Sequence, residues 1–250
     1  MASSSDFSLK NGLLLVDKPL GISSFSVVAR VRRICNVKKV GHGGTLDPLA
    51  TGLMVLLLGN ATKLFGAIAG GDKGYEARIC LGSTSTTDDR EGEITARKPF
   101  ENIDEQMVRA ALTLFQGKQR QVPPIFSAKK INGTAAYQFA RDGRDITLEA
   151  CDVFVHSIVL QRFQAPFLDF NLLCSKGTYV RSLARDLGKK LHCGAHLHAL
   201  RRTKSGCFSL QNALPLESLY QISAAHMRHH MEENMERWEK VAEKSLAVSS

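Results

Sequence analysis

The stretch that most constrains this chain is Gly41 to Leu58, where a glycine-rich loop runs straight into six consecutive apolar residues. The run Leu53-Met54-Val55-Leu56-Leu57-Leu58 shows no alternation, so it reads as a strand buried on both faces. The loop before it, Gly41 to Gly52, holds four glycines, which let backbone approach a neighbour or a ligand closely. It also carries Asp47, which the following Pro48 biases towards extended geometry. An ionisable group is thus expected at the edge of the core. The loop has neither the GxxxxGK[ST] nor the GxGxxG order, so nucleoside triphosphate binding is unsupported. An aspartate before proline is commonly a mere turn residue, and spacing alone favours that reading.

The remaining composition sets limits. A chain of 250 residues, 44% hydrophobic and 23% charged, can bury the core of one large soluble domain. Its formal charge of +9 comes from 33 Lys and Arg against 24 Asp and Glu, which suits a polyanionic partner such as nucleic acid but equally a basic soluble protein. The six cysteines show no CxxC pair and no framework spacing, as expected of reduced thiols in a cytoplasmic protein. Residues 1–11 are small and polar and read as a flexible start without a signal-peptide core. No apolar stretch is long enough to span a bilayer, so no membrane association is expected.

Along the chain, Gly12 to Val16 predicts a strand, Lys18 to Gly21 a turn, and Ser24, taken as the N-cap, to Ile34 a helix. Tyr75 to Leu81 alternates at the strand period, with Tyr75, Ala77, Ile79 and Leu81 on the inward face. Asn102 and Glu105 resemble a capping box before a helix with Met107, Ala111, Leu114 and Phe115 on one stripe, ending near Gly117. Residues 121–149 are rich in polar and basic groups around a short helical piece, a candidate RNA-gripping insertion. Strands are expected at Val153 to Leu160 and Phe167 to Cys174, and the stripe Val180, Leu183, Ala184, Leu187, Leu191 predicts a helix. Met227, Met231, Met235, Trp238 and Ala242 form a last helical stripe, read as a packing face.

The loop Gly41-His42-Gly43-Gly44-Thr45-Leu46-Asp47-Pro48-Leu49-Ala50-Thr51-Gly52 resembles the signature of the TruB family of tRNA pseudouridine synthases. Further blocks stand in the same order: Asp17-Lys18-Pro19 with Gly21 and Ser23-Ser24, the Tyr75 strand, Gln121 to Lys130 with Pro123-Pro124 and Phe126-Ser127-Ala128, Ser175-Lys176-Gly177-Thr178-Tyr179 with Arg181, and Leu200-Arg201-Arg202-Thr203. The resemblance covers Gly12 to Leu219 and implies an α+β fold: a mixed, mostly antiparallel sheet flanked by helices, with 121–149 as the RNA-binding insertion. It implies Asp47 as the catalytic carboxylate, with Tyr75 stacking on the target uracil, Arg181 pairing with the carboxylate, and Tyr179 and Leu200 lining the pocket. His42 would enter the RNA loop and fill the space of flipped bases. A guanidinium beside Asp47 would favour its ionised form, an effect expected to outweigh burial.

The function so implied is isomerisation of uridine 55 in the T-arm of tRNA, by a monomer that needs no metal, organic cofactor or guide RNA. The rival readings are an RNA-binding or RNA-folding module on the same scaffold, and a sister synthase for another RNA site. His192 to His198 contains thiol and imidazole groups, but their spacing fits no common zinc pattern. Lys129, Lys130, Arg141, Arg144, Lys189, Lys190, Arg201, Arg202 and Lys204 are candidate phosphate contacts. Residues 220–250 are too few for a complete C-terminal PUA domain and read as a helical tail, whose removal should weaken tRNA binding more than turnover.

Overall fold

The computed structural model describes residues 11–127, 129–131, 134–142, 144 and 146–248. The chain divides into two compact units, Met1–Gly74 with Arg201–Ser250, and Tyr75–Leu200. Residues 1–10 of the expected loose start, and Ala128, Asn132, Gly133, Gly143 and Asp145 of the expected insertion, lie outside the described residues.

The first unit is organised by the apolar run. Ala50–Leu58 is a strand with seven consecutive buried residues from Gly52 on, and it pairs antiparallel with Gly12–Lys18, Leu15 opposite Val55. Val40–His42 also pairs with it, while Leu214–Pro215 adds a short parallel pairing to Gly12–Lys18. Leu13, Leu15, Leu53, Val55, Leu57 and Phe208 make one buried cluster against which Met235 and Trp238 pack. The long terminal helix Ala224–Val248 lies on the Gly12–Lys18 strand. Its Met227 and Met231 are buried, and Asn234 Nδ2 donates to the carbonyls of His230 (2.7 Å) and Leu13 (3.3 Å). The packing role read from the methionine stripe is what the helix performs.

The first helix, Ser24–Ile34, turns its valines inward. Its N-cap is Ser23, whose hydroxyl accepts from Ser26 N at 3.0 Å, not Ser24 as the sequence suggested. Ser24 is buried and has another partner, described below.

In the second unit the strands Lys73–Leu81 (from Tyr75 onward), Phe167–Cys174, Cys151–Gln164 and Gly117–Gln121 lie side by side in that order. The pairings of Cys151–Gln164 with both neighbours are antiparallel. Tyr75, Ala77, Ile79 and Leu81 are all buried, as their alternation predicts. The helix Val180–Lys190 buries its whole expected stripe and, with Glu105–Thr113, flanks the sheet.

Two local expectations are corrected here. Asp104, not Asn102, caps Glu105–Thr113, accepting from Met107 N at 2.8 Å, and Glu105 pairs with Arg109 at 2.7 Å. The buried face is Val108, Ala111 and Leu112, so Met107 and Leu114 of the supposed stripe point to solvent. Residues 121–149 hold the strand pair Lys130–Ile131 and Thr134–Ala135 and the helix Ala136–Arg141. All six cysteines are free thiols, and among the described residues no helix is long and apolar enough to cross a membrane.

Candidate active site

The Asp47 loop is held from below by three buried polar side chains. Lys18, fully buried, donates through Nζ to the carbonyls of Pro19 (3.0 Å) and Pro48 (3.3 Å). Ser24 grips Leu46 twice, its hydroxyl donating to the carbonyl and accepting from the amide, each at 2.8 Å. Arg202, only 2% exposed, spreads its guanidinium over the carbonyls of Leu53 (2.7 Å), Gly44 (3.0 Å) and Thr45 (3.2 Å). Gly21 N adds a bond to Pro48 O at 2.9 Å, and Gly43 N one to Val55 O at 2.8 Å. Gly43, Gly44, Thr45, Leu46 and Pro48 are thereby each held, and Asp47, between two of them, closes the turn by accepting Ala50 N at 3.0 Å on its carbonyl. Asp47 as a residue is half-buried, and the backbone on either side of it is held.

The bonds from Lys18 and Arg202 involve charged donors, each contributing ~1.5–3 kcal/mol net where well formed. The close approach that permits them needs Gly52. Its φ is +98°, and a Cβ there would lie 2.4 Å from the Arg202 carbonyl oxygen and 2.7 Å from its amide nitrogen.

His42 ends the Val40–His42 strand in the same unit, and its Nδ1 faces Gly44 N at 3.4 Å. Burial first, and the neighbouring Arg202 second, push its pKa below the ordinary histidine value. The ring is therefore mostly neutral at pH 7.

In the second unit, Tyr179 and Arg181 open one helix, and that helix start is locked to the Gln121 segment. Buried Gln121 accepts from Tyr179 N at 2.8 Å and donates to Tyr179 O at 3.1 Å, a paired amide clamp. Ser182 Oγ (2.8 Å) and Arg185 Nη2 (2.9 Å) both donate to Val122 O. The Gln121 and Tyr179 blocks of the sequence are thus one structure.

Arg181 is 6% exposed and donates to Phe126 O (2.9 Å) and Thr87 O (3.3 Å), with Asp89 Oδ2 3.8 Å from its Nε. Asp89 is itself buried and accepts on Oδ1 from Glu91 N at 3.0 Å and from Thr87 Oγ1 at 2.5 Å. Sequence reading missed Asp89 entirely, since Thr86-Thr87-Asp88-Asp89-Arg90 looks like a solvated loop and nothing in it announces burial. Tyr75 is buried and Leu200 half-buried; they are the first and last residues of this unit.

Several expected phosphate contacts have partners within the protein. Arg201 pairs with Asp17 at 2.6 Å, and Arg202 belongs to the loop clamp. Lys129 Nζ lies 3.0 Å from Cys151 Sγ, and the Arg144 guanidinium sits 4.6 Å over the Phe139 ring. The side chains of Lys130 and Arg141 lie outside the described residues. In the His192 to His198 segment, His196 Nδ1 is 3.3 Å from Ser83 Oγ, His198 packs edge-on against Phe167, and Cys193 is buried.

Comparison with known proteins adds a second kind of observation. Residues 32–180 match the family model described as TruB family pseudouridylate synthase (N terminal domain), and residues 181–246 match the one described as tRNA pseudouridylate synthase B C-terminal domain. Proteins named tRNA pseudouridine synthase B are similar over most of the chain: that of Opitutus terrae is 47% identical over 84% of this chain and 87% of its own length. That of Thermobifida fusca is 46% identical over 84% of this chain and 75% of its own. Among solved structures, a chain of a Cbf5-Nop10-Gar1 complex is similar over 93% of this chain, with TM-score 0.72 and 27% identity. A chain of an H/ACA RNP bound to a substrate RNA containing 2'-deoxyuridine matches over 84%, with TM-score 0.64 and 26% identity. This chain spans only 64% and 52% of those two solved chains.

Proposed function

The chain belongs to the TruB family of pseudouridylate synthases, and from that premise we propose that it isomerises uridine 55 in the T-arm of tRNA, with Asp47 as the reacting carboxylate. The observation that carries this reading is the clamp of Lys18, Ser24 and Arg202 on both sides of Asp47, a residue that is itself half-buried. Such fixation is what positioning catalysis requires, because a group already held in place does not lose further freedom on reacting.

The reaction breaks the bond from C1′ to N1, turns the uracil, and joins C1′ to C5. The C5 proton is lost and N1 ends protonated, so no atom or electron is gained overall. The base must leave its stack to do this. Tyr75 would supply a ring against it, Tyr179 and Leu200 the walls, and neutral His42 a filler for the vacated space. Asp47 would act on the uracil or on the sugar carbon, and Arg181, oriented by Asp89, would balance the negative charge. The chemistry calls for no metal or organic cofactor, and the substrate would be tRNA alone without a guide.

The test is tritium release from tRNA transcript labelled at uracil C5, with the product position mapped. Release confined to position 55, and none from Asp47→Asn, is the expected result. Release from another site would make the chain a synthase of different specificity. Binding without release would leave an RNA-binding module.

A further inference from the structure

We propose that the outer face of the Ser24–Ile34 helix is a second RNA-contact surface, on which Phe25 stacks against a base of the substrate other than the reacting one while Arg32 and Arg33 take phosphates. The inference rests on the tRNA reading above and extends it to residues that reading does not use.

Phe25 is 74% exposed and Leu20, just before the helix, is 54% exposed. Both stand on backbone tied to the Asp47 loop, so each holds a set position. Leu20 is followed by Gly21, whose amide bonds to Pro48 O, and Phe25 follows Ser24, which grips Leu46 twice. The two exposed apolar groups therefore flank the segment that is riveted to both neighbours of Asp47. The Ser23 cap fixes the first turn as well.

The rest of the face continues the pattern. Val27, Val28 and Val31 are buried, while Phe25, Ala29, Arg32 and Arg33 are exposed. At ~100° per residue, Phe25, Ala29 and Arg32 fall within about 60° of one another on the helix surface. From Phe25 to Arg32 the axial distance is ~10.5 Å, on the order of three base steps along a strand. Small Ala29 between them lets a backbone come close. Arg30, off this face, is tied to Glu217 at 3.7 Å. An aromatic ring next in sequence to the residue that grips the Asp47 loop, with guanidinium groups farther along the exposed side of the helix, is the make-up of a surface that holds bases by stacking and phosphates by charge. Exposed Lys38 and Lys39 just beyond the helix extend the positive charge.

The full chain is assayed in two ways: anisotropy of a labelled tRNA transcript, and steady-state tritium release. Phe25→Ala should weaken RNA binding and raise KM about tenfold to a hundredfold, the worth of one stacked base, with kcat held. Phe25→Trp should restore wild-type values and Phe25→Leu should not, which separates stacking from simple apolar contact. Arg32→Ala with Arg33→Ala should lower the slope of log Kd against log salt by between one and two. Unchanged melting temperature in all four variants shows that folding is not the cause. Phe25→Ala with affinity and KM within twofold of wild type, or full rescue by Leu, overturns the proposal. A wild type that binds tRNA but releases no tritium overturns the synthase reading instead, and the anisotropy series then still decides the surface.

Discussion

At the scale of single residues, the loop that presents Asp47 depends on groups that never meet a substrate. Gly52 is the sharpest case. Alanine there would carry a strained positive φ and press its Cβ into the Arg202 backbone, which cannot yield as a flexible side chain would. Gly52→Ala is expected to destabilise the protein by about 3 kcal/mol, from backbone strain and overpacking together, measured by urea unfolding. A variant as stable as wild type would mean the loop is not clamped as described. Arg202→Met keeps the volume and loses three carbonyl partners, so turnover should fall more than RNA affinity. Asp47, Tyr75, Tyr179 and Arg181 could be singled out as candidates from the sequence because each sits in a recognisable block. The job of Arg202 was not, since an exposed phosphate contact and a buried carbonyl clamp are written with the same arginine. Asp89 was illegible for the same reason, because burial is settled by residues far away in the chain.

At the scale of elements, periodicity told strand from helix wherever one face was continuous, as in Tyr75 to Leu81 and the Val180 stripe. It failed by a few positions where capping chemistry competed: Ser23 against Ser24, and Asp104 against Asn102, are choices between chemically equivalent caps that packing decides. The terminal helix shows the other limit. Its methionine stripe was readable, but not that it covers Leu13 and Leu15. Burying Met227 and Met231 is worth ~3–6 kcal/mol together, comparable to the stability of a small protein. Truncation after Leu219 is therefore expected to cost the fold itself, seen as a lost thermal transition, and not RNA binding alone as sequence reading suggested. His230 gives this helix a pH dependence. It is buried between the helix and the strand, its Nε2 has no hydrogen-bond partner among the described residues, and burial holds its pKa below 6.5. Leu15 backbone and Glu233 pull the other way, and His226 and Arg237 add to the depression. The unfolded chain binds this proton more readily than the folded one, so stability is full above pH ~6.5 and falls as pH drops towards the folded value. His230→Phe should flatten the change in unfolding free energy between pH 7.5 and 5.5, and an unaltered slope would remove His230 as the cause.

At the scale of the whole molecule, the excess of 33 basic over 24 acidic side chains divides into charges already engaged and charges facing solvent. Arg201 pairs with Asp17, Arg185 bridges Asp88 and Asp186, and Arg78 pairs with Asp169. Exposed Lys189 also lies 3.4 Å from Asp186, whereas Arg32, Arg33, Lys38, Lys39, Lys176, Lys190 and Lys204 face solvent. Only the second group can displace counterions from RNA, so net charge overstates the gain per basic residue but not its sign. If six of these meet phosphates, raising salt from 50 to 200 mM should weaken tRNA binding about a thousandfold. Arg201→Ala should leave that slope as it is, because its charge is spent on Asp17, and should cost at most about 1 kcal/mol of stability for a partly exposed pair. Lys190→Ala with Lys204→Ala should instead lower the slope. Equal slopes for the two variants would show that ion pairing inside the protein does not sort its cations, and that tRNA senses the total charge alone.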